Sequence, residues 1–187
     1  MRPEFLIQTI LKTMADTVVP AVDSNNKLAS EQAQLVIAML GIIQQRLPLM
    51  YRFDRDELSR SIELSEALLH HGEDVPAAAS ALQKLASCTK NSRDTLRLAQ
   101  IDPNDLKAAN FALREKVSEL VNTLYSESKT SDLKQINDLI TNHAREQLLR
   151  DRAFLASQGW EADPDAIPPL DTLLTDPSSA KTEPRAK

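Results

Sequence analysis

The chain has 187 residues, a net charge of −5 and a pI near 5.3. That length fits one domain, or one domain and a tail, and is enough to bury a real core, while the acidic balance argues against a broad phosphate-binding face for nucleic acid or an anionic membrane. Leu, Ala and Ile dominate the apolar content beside only 3 glycines and 4% aromatics, so helices are expected throughout.

The elements follow from punctuation. Prolines at 3, 20, 48, 76 and 103 each stand where a helix can start or stop. The first helix is predicted from Pro3 to Val19, closed by Pro20, and the second from about Ser24 or Leu28 to Leu47, ending before Pro48. Asp54 and Glu57 make a capping-box pattern, so the third is expected over Arg55–His71 with Gly72 in the C′ position. Asp74 caps a fourth starting near Pro76, with "SCTKNSRD", residues 87 to 94, as a candidate break. Asp102 caps a fifth with Pro103 at its first position, and Thr130 or Ser131 opens a sixth that ends at Gly159. The near-regular proline spacing carries no shared residue pattern and no tetratricopeptide signature, so it is read as helices of similar length rather than as a solenoid.

These elements imply an all-α fold: an antiparallel helical bundle of about six helices over residues 1–159, then a Pro-rich, acidic, partly flexible tail over 160–187. In the fifth helix Leu106, Asn110, Leu113, Val117, Leu120 and Leu124 follow steps of four and three, a leucine seam interrupted by one asparagine. The fourth offers Ala78, Ala79, Leu82, Leu85 and Ala86, and the sixth Leu133, Ile136, Ile140, Ala144 and Leu148. The tail holds five of the ten prolines, and residues 161–187 carry six acids and three bases, a composition that does not build a core. Within it Ile167, Leu170, Leu173 and Leu174 are apolar enough to dock on the bundle or on a partner.

No chemistry stands out. Glycine only at 41, 72 and 159 leaves no P-loop, no Gly-x-Gly-x-x-Gly and no Gly-x-Ser-x-Gly elbow. In "MYRFDRDELSRSIELSEALLHHGED", residues 50–74, Asp54 and His70 are sixteen positions apart on one helix, about 24 Å at 1.5 Å per residue, so the acids and histidines serve the two helix ends rather than one site. Glu66 and His70 share a face, yet two ligands do not make a metal site, and no Glu-x-x-His motif precedes His70, His71 or His143. His143, near the apolar face of the sixth helix, reads as a polar contact, with Asn110 as one partner. Cys88 lacks an activating neighbour in sequence. No catalytic residue, cofactor or metal is expected.

What is left is a non-enzymatic interaction protein that self-associates or serves as an accessory subunit of a larger complex, using Asn110, Leu113, Val117, Leu120 and Leu124 as the interface. The alternative is a regulatory or ligand-binding bundle, with Arg46, Tyr51, Arg52 and Arg55 gripping a small anionic phosphate or carboxylate near a helix N-terminus. Expected partners are itself or another protein, in a homo-oligomer, with no nucleic acid and no membrane. The single cysteine suits a reducing compartment, and "MRPEFLIQTILK" has Glu4 and no small-residue cleavage site, which together point to the cytoplasm. The longest apolar run, Leu35 to Ile43, is nine residues against the ~20 that span a bilayer, and is expected as a buried helix segment.

Overall fold

The computed structural model describes residues 2–72, 75–127, 133–159 and 161–174. Among these residues there are helices and turns and no strand, an all-α bundle as the composition requires. The six main helices are α1 (Pro3–Thr13), α2 (Lys27–Arg46), α3 (Met50–Gly72), α4 (Ala79–Arg97), α5 (Pro103–Glu127) and α6 (Lys134–Leu155), with a short α7 at Leu170–Leu173.

Two prolines expected as stops are instead built into helix. After α1 the chain continues through a π-helical stretch, Met14–Val18, and a last turn, Val19–Ala21, so Pro20 lies inside. A π turn regroups the carbonyl acceptors, shown by the Val19 amide donating to Met14, and this accommodates a proline that has no N–H of its own to place. Pro48 likewise sits in a single 3-10 turn, Leu47–Leu49, that leads from α2 into α3. There it occupies a first-turn position, where the missing donor is not needed. Asp54 and Glu57 are therefore within α3 and cap nothing; the Asp54 carbonyl accepts from Asn110 Nδ2 at 2.9 Å, and Glu57 pairs with Arg114.

Other boundaries fall as the sequence dictates. Asn26 Oδ1 accepts from the Ala29 amide at 3.1 Å and caps α2, and Asp102 Oδ1 accepts from the Asn104 amide at 2.7 Å at the start of α5, with Pro103 as its first residue. α4 passes through residues 87–94 without a break; Thr89 donates back to the Leu85 carbonyl and, just beyond, Thr95 to that of Asn91. The expected caps at Asp74 and at Thr130 or Ser131 lie outside the described residues.

Of the two glycines expected as helix stops, only Gly159 has a positive φ, 71°, ending the 3-10 turn Ala156–Gln158 that extends α6. Gly159→Ala is expected to cost about 1–2 kcal/mol, the penalty of a Cβ in the left-handed region, read as a lower midpoint in urea unfolding. Gly72 serves a different purpose. A Cβ there would lie 2.8 Å from Leu82 Cδ2, so its value is close approach of α3 to α4 rather than a left-handed turn.

The chain divides into two compact units, and not at residue 159. Unit 1 comprises Met1–Met50 and Asp151–Leu170; unit 2 comprises Tyr51–Arg150 and Asp171–Lys187. Unit 2 contains the main core: Leu58, Ile62 and Leu68 of α3, Ala81 and Leu85 of α4, Leu106, Leu113, Leu120 and Leu124 of α5, and Ile136 of α6. The α5 seam is thus packed inside the chain's own bundle. In α4 the buried line is Ala78, Ala81, Leu85, Thr89 and Ser92, one step out of phase with the expected Ala79 and Ala86, which are exposed. In α6 Leu133 and Ile136 are buried as expected, whereas Ala144 and Leu148 face solvent.

Unit 1 has a different balance. Among its described residues it buries Ala33, Ile42, Ala153, Ile167 and Leu170, and its two chain segments are joined by Arg46, whose Nε donates to the Phe154 carbonyl at 2.9 Å and whose Nη2 donates to that of Ala153 at 3.1 Å. Ile167 and Leu170, from the Pro-rich segment, are among the residues that form this small core.

Candidate functional site

Apolar surface is the conspicuous feature of unit 1. On α1 and its continuation Phe5, Leu6, Ile10 and Val18 are exposed, and on α2 so are Leu28, Leu35, Val36, Met39 and Ile43, by between 39 and 67%. At 3.6 residues per turn the five α2 positions fall within an arc of roughly 100°, a single stripe. The neighbouring arc, with Ala29, Ala33, Ile37 and Leu40, is buried or half-buried, as expected of the side packed on α1. A third arc carries Lys27, Glu31, Gln34 and Gln45. The run Leu35–Ile43, expected as a buried segment, is therefore only partly covered: Ile42 is buried and Ile37 and Leu40 are half-buried, while Leu35, Val36, Met39 and Ile43 are exposed.

The same helix changes the membrane count. Among the described residues the helical stretch Lys27–Gly72 contains an 18-residue window of mean hydropathy 1.3, only 6% of it buried, long and apolar enough by length and composition to cross a bilayer. Counting uninterrupted apolar residues missed it because Gln34 and Gln44 bound the run. A shallow groove of about 380 Å³ also runs along α1, lined by Phe5, Thr9, Lys12 and Asp16 among others.

Unit 2 concentrates charge instead. Asp56 is 3% exposed on α3; its Oδ2 accepts from Arg60 Nε at 2.9 Å and lies 3.6 Å from Nε of Arg150, which is itself 2% exposed on α6. Arg60 reaches further, to Glu146 Oε2 at 2.8 Å and to the Leu173 carbonyl at 3.2 Å, so it ties α3 to α6 and α7. This layer matches each of its carboxylates to a guanidinium, which makes it a clamp between α3 and α6. The burial of Asp56 and Arg150 was not legible in the sequence; the one clue was the i, i+4 pair Asp56–Arg60.

His143 stands beside this layer, half-buried on α6. Burial, reinforced by the positive charge of Arg150, Arg114 and Arg60 and opposed by Glu146, holds its imidazole below the ordinary range, so it is neutral in the folded chain at neutral pH. Since the unfolded chain then binds a proton that the folded chain refuses, stability is expected to fall as pH drops below about 6.5, levelling off once the depressed folded value is passed. His143→Gln is expected to flatten that limb, read by thermal melts between pH 7.5 and about 5. The expected contact of Asn110 with His143 is not among the hydrogen bonds of the described residues; the Asn110 side chain donates to the Asp54 carbonyl.

The residues expected to hold an anion are placed as follows. Arg46, in unit 1, directs its donors to two main-chain carbonyls and lies 5.9 Å from the Phe154 ring centroid. In unit 2, Arg55 Nη2 donates to the Leu96 carbonyl at 3.0 Å, Tyr51 is exposed, and Arg52 is half-buried with an Nε that has no hydrogen-bond partner. The expected interface residues Leu113, Leu120 and Leu124 are fully buried, Asn110 is nearly so and Val117 packs on the core, so they are closed to any outside partner. The physical reason is that a heptad-like seam marks a face to be covered, and here α4 and its neighbours cover it.

The remaining reactive groups have local partners. Glu66, expected to share a face with His70, pairs with Arg93, and among the described residues no group of three potential ligands comes together. Burial pushes the Cys88 thiol up, against a weaker hydrogen bond with Ser92, so the thiol form dominates. No family model matches the chain, and neither does any curated protein or solved structure.

Proposed function

We propose that the chain is a non-enzymatic helical interaction protein, either self-associating or an accessory subunit, that associates through the apolar faces of unit 1. The observation that carries this reading is an imbalance: unit 1 exposes nine large apolar side chains on α1, its continuation and α2, against the five apolar residues it buries. Monomers seldom expose contiguous apolar surface beyond a few hundred Å² without using it. In unit 2 the exposed large apolar residues, such as Phe111 and Leu148, are scattered over separate helices around a full core. The surface reading thus moves from α5 to α1 and α2.

The anionic-ligand alternative has less support, because Arg46 and Arg55 already direct donors to carbonyls. The test of the main reading is the mass of the full chain by light scattering over a wide concentration series, with its elution from an extract of its own cells. An assembly in either setting supports association. A single-chain mass in both overturns it.

A further inference from the structure

We propose that α2 pairs with α2 of a second copy of this chain, antiparallel, across the stripe of Leu28, Leu35, Val36, Met39 and Ile43. This rests on the reading of unit 1 as an association surface and names its occupant. Three features point to a second copy. The first is charge: from Gln32 to Gln45 the helix carries no charged residue, so two copies approach without repulsion or any buried unpaired ion.

The second is the symmetry of the stripe itself. Its apolar ends are Leu28 and Ile43, and its midpoint falls between Leu35 and Val36. Turned end for end about that midpoint, Leu28 stands level with Ile43 and Leu35 with Val36, so four of the five stripe residues meet an apolar one, while Met39 stands level with Gln32. That is the self-complementarity a two-fold, isologous interface requires. In this arrangement Lys27 stands level with Gln44 and Glu31 with Leu40, so no charged residue stands level with another. The third feature is area. The five stripe side chains are 40–67% exposed and Phe5, Leu6 and Ile10 of the adjacent α1 are 47–60% exposed, eight large apolar side chains toward the roughly 800 Å² per partner that a stable interface takes.

Lipid fits less well. An interfacial helix wants a polar face rich in Lys and Arg, and here that face holds Lys27, Glu31, Gln34 and Gln45, whose amides and charges would have to enter the hydrocarbon if the helix spanned it.

The test uses the full chain with Cys88→Ser, single cysteines at chosen α2 positions, a short bismaleimide cross-linker, and light scattering. Val36→Cys is expected to link efficiently to its own copy near the two-fold axis. Leu28→Cys alone is expected not to link, its two copies standing about 22 Å apart along the axis at 1.5 Å per residue, but to link when mixed with Ile43→Cys. Leu35→Glu, on the wild-type chain, is expected to raise the dimer dissociation constant at least about a hundredfold while leaving helix content and the melting midpoint of the monomer unchanged. Self-linking at Leu28→Cys would make the pair parallel and overturn the proposal. A dimeric mass that Leu35→Glu leaves intact would overturn it while the association reading stands, through another face. A single-chain mass together with binding to neutral phosphatidylcholine vesicles would replace the second copy with lipid and sink both. A single-chain mass without vesicle binding would overturn the pairing, leaving the broader reading to the extract measurement.

Discussion

Asp56→Ala is expected to remove about 3–5 kcal/mol from unit 2, the cost of breaking a buried ion pair from one side. The carboxylate is 2% exposed and the guanidinium of Arg150 opposite it 3%, so deletion leaves a positive group in the interior next to a second one, Arg60. The melting midpoint of unit 2 should fall by roughly 6–20 °C, given the ~2–4 °C per kcal/mol of a domain this size. The double variant Asp56→Leu, Arg150→Met is expected to recover most of the loss, because a buried pair and an apolar pair of similar volume are close in energy. Urea unfolding of the two variants checks both statements. A single variant within 1 kcal/mol of wild type would show that the charged layer is not what joins α3 to α6.

Leu120→Ala is expected to cost about 3–5 kcal/mol as well, by a different mechanism: the lost transfer energy of the side chain plus the cavity that α5 cannot close. Leu120 is 0% exposed and sits midway along the α5 seam, between Leu113 and Leu124. The variant also separates two roles that periodicity alone confuses. As a core residue it lowers the unfolding midpoint without altering the mass of any assembly; as an interface residue it would do the reverse. Paired with Leu35→Glu, which is expected to alter mass and not monomer stability, it tests whether the two units have distinct jobs.

Much of the helical frame was legible because it is set by local chemistry. Asp102 followed by Pro103 and the glycine after α6 act within one turn, and the structure places helix ends there. Pro20 and Pro48 misled because a proline forbids one hydrogen bond but does not forbid the π or 3-10 turn that reroutes it. Gly72 misled for a related reason, its missing side chain being needed by Leu82 of another helix rather than by its own backbone. Sequence periodicity found the α5 seam and could not say what covers it, since a heptad reads the same against α4 as against a stranger. The proposed association surface moves from α5 to α1 and α2 for that reason. The exposed side of α2 was overlooked because an apolar run reads as buried whichever of its sides the chain covers.

The discontinuous make-up of unit 1 has a consequence for how the chain is born. Met1–Met50 leave the ribosome well before Asp151–Leu170, with the hundred residues of Tyr51–Arg150 translated in between. At 5–20 residues per second that is a wait of roughly 5–20 s, during which Arg46 lacks the Phe154 and Ala153 carbonyls and α2 lacks part of its cover. Two nascent chains on one message would present the same partly covered helix to each other in that interval, so the proposed pair is expected to form during translation.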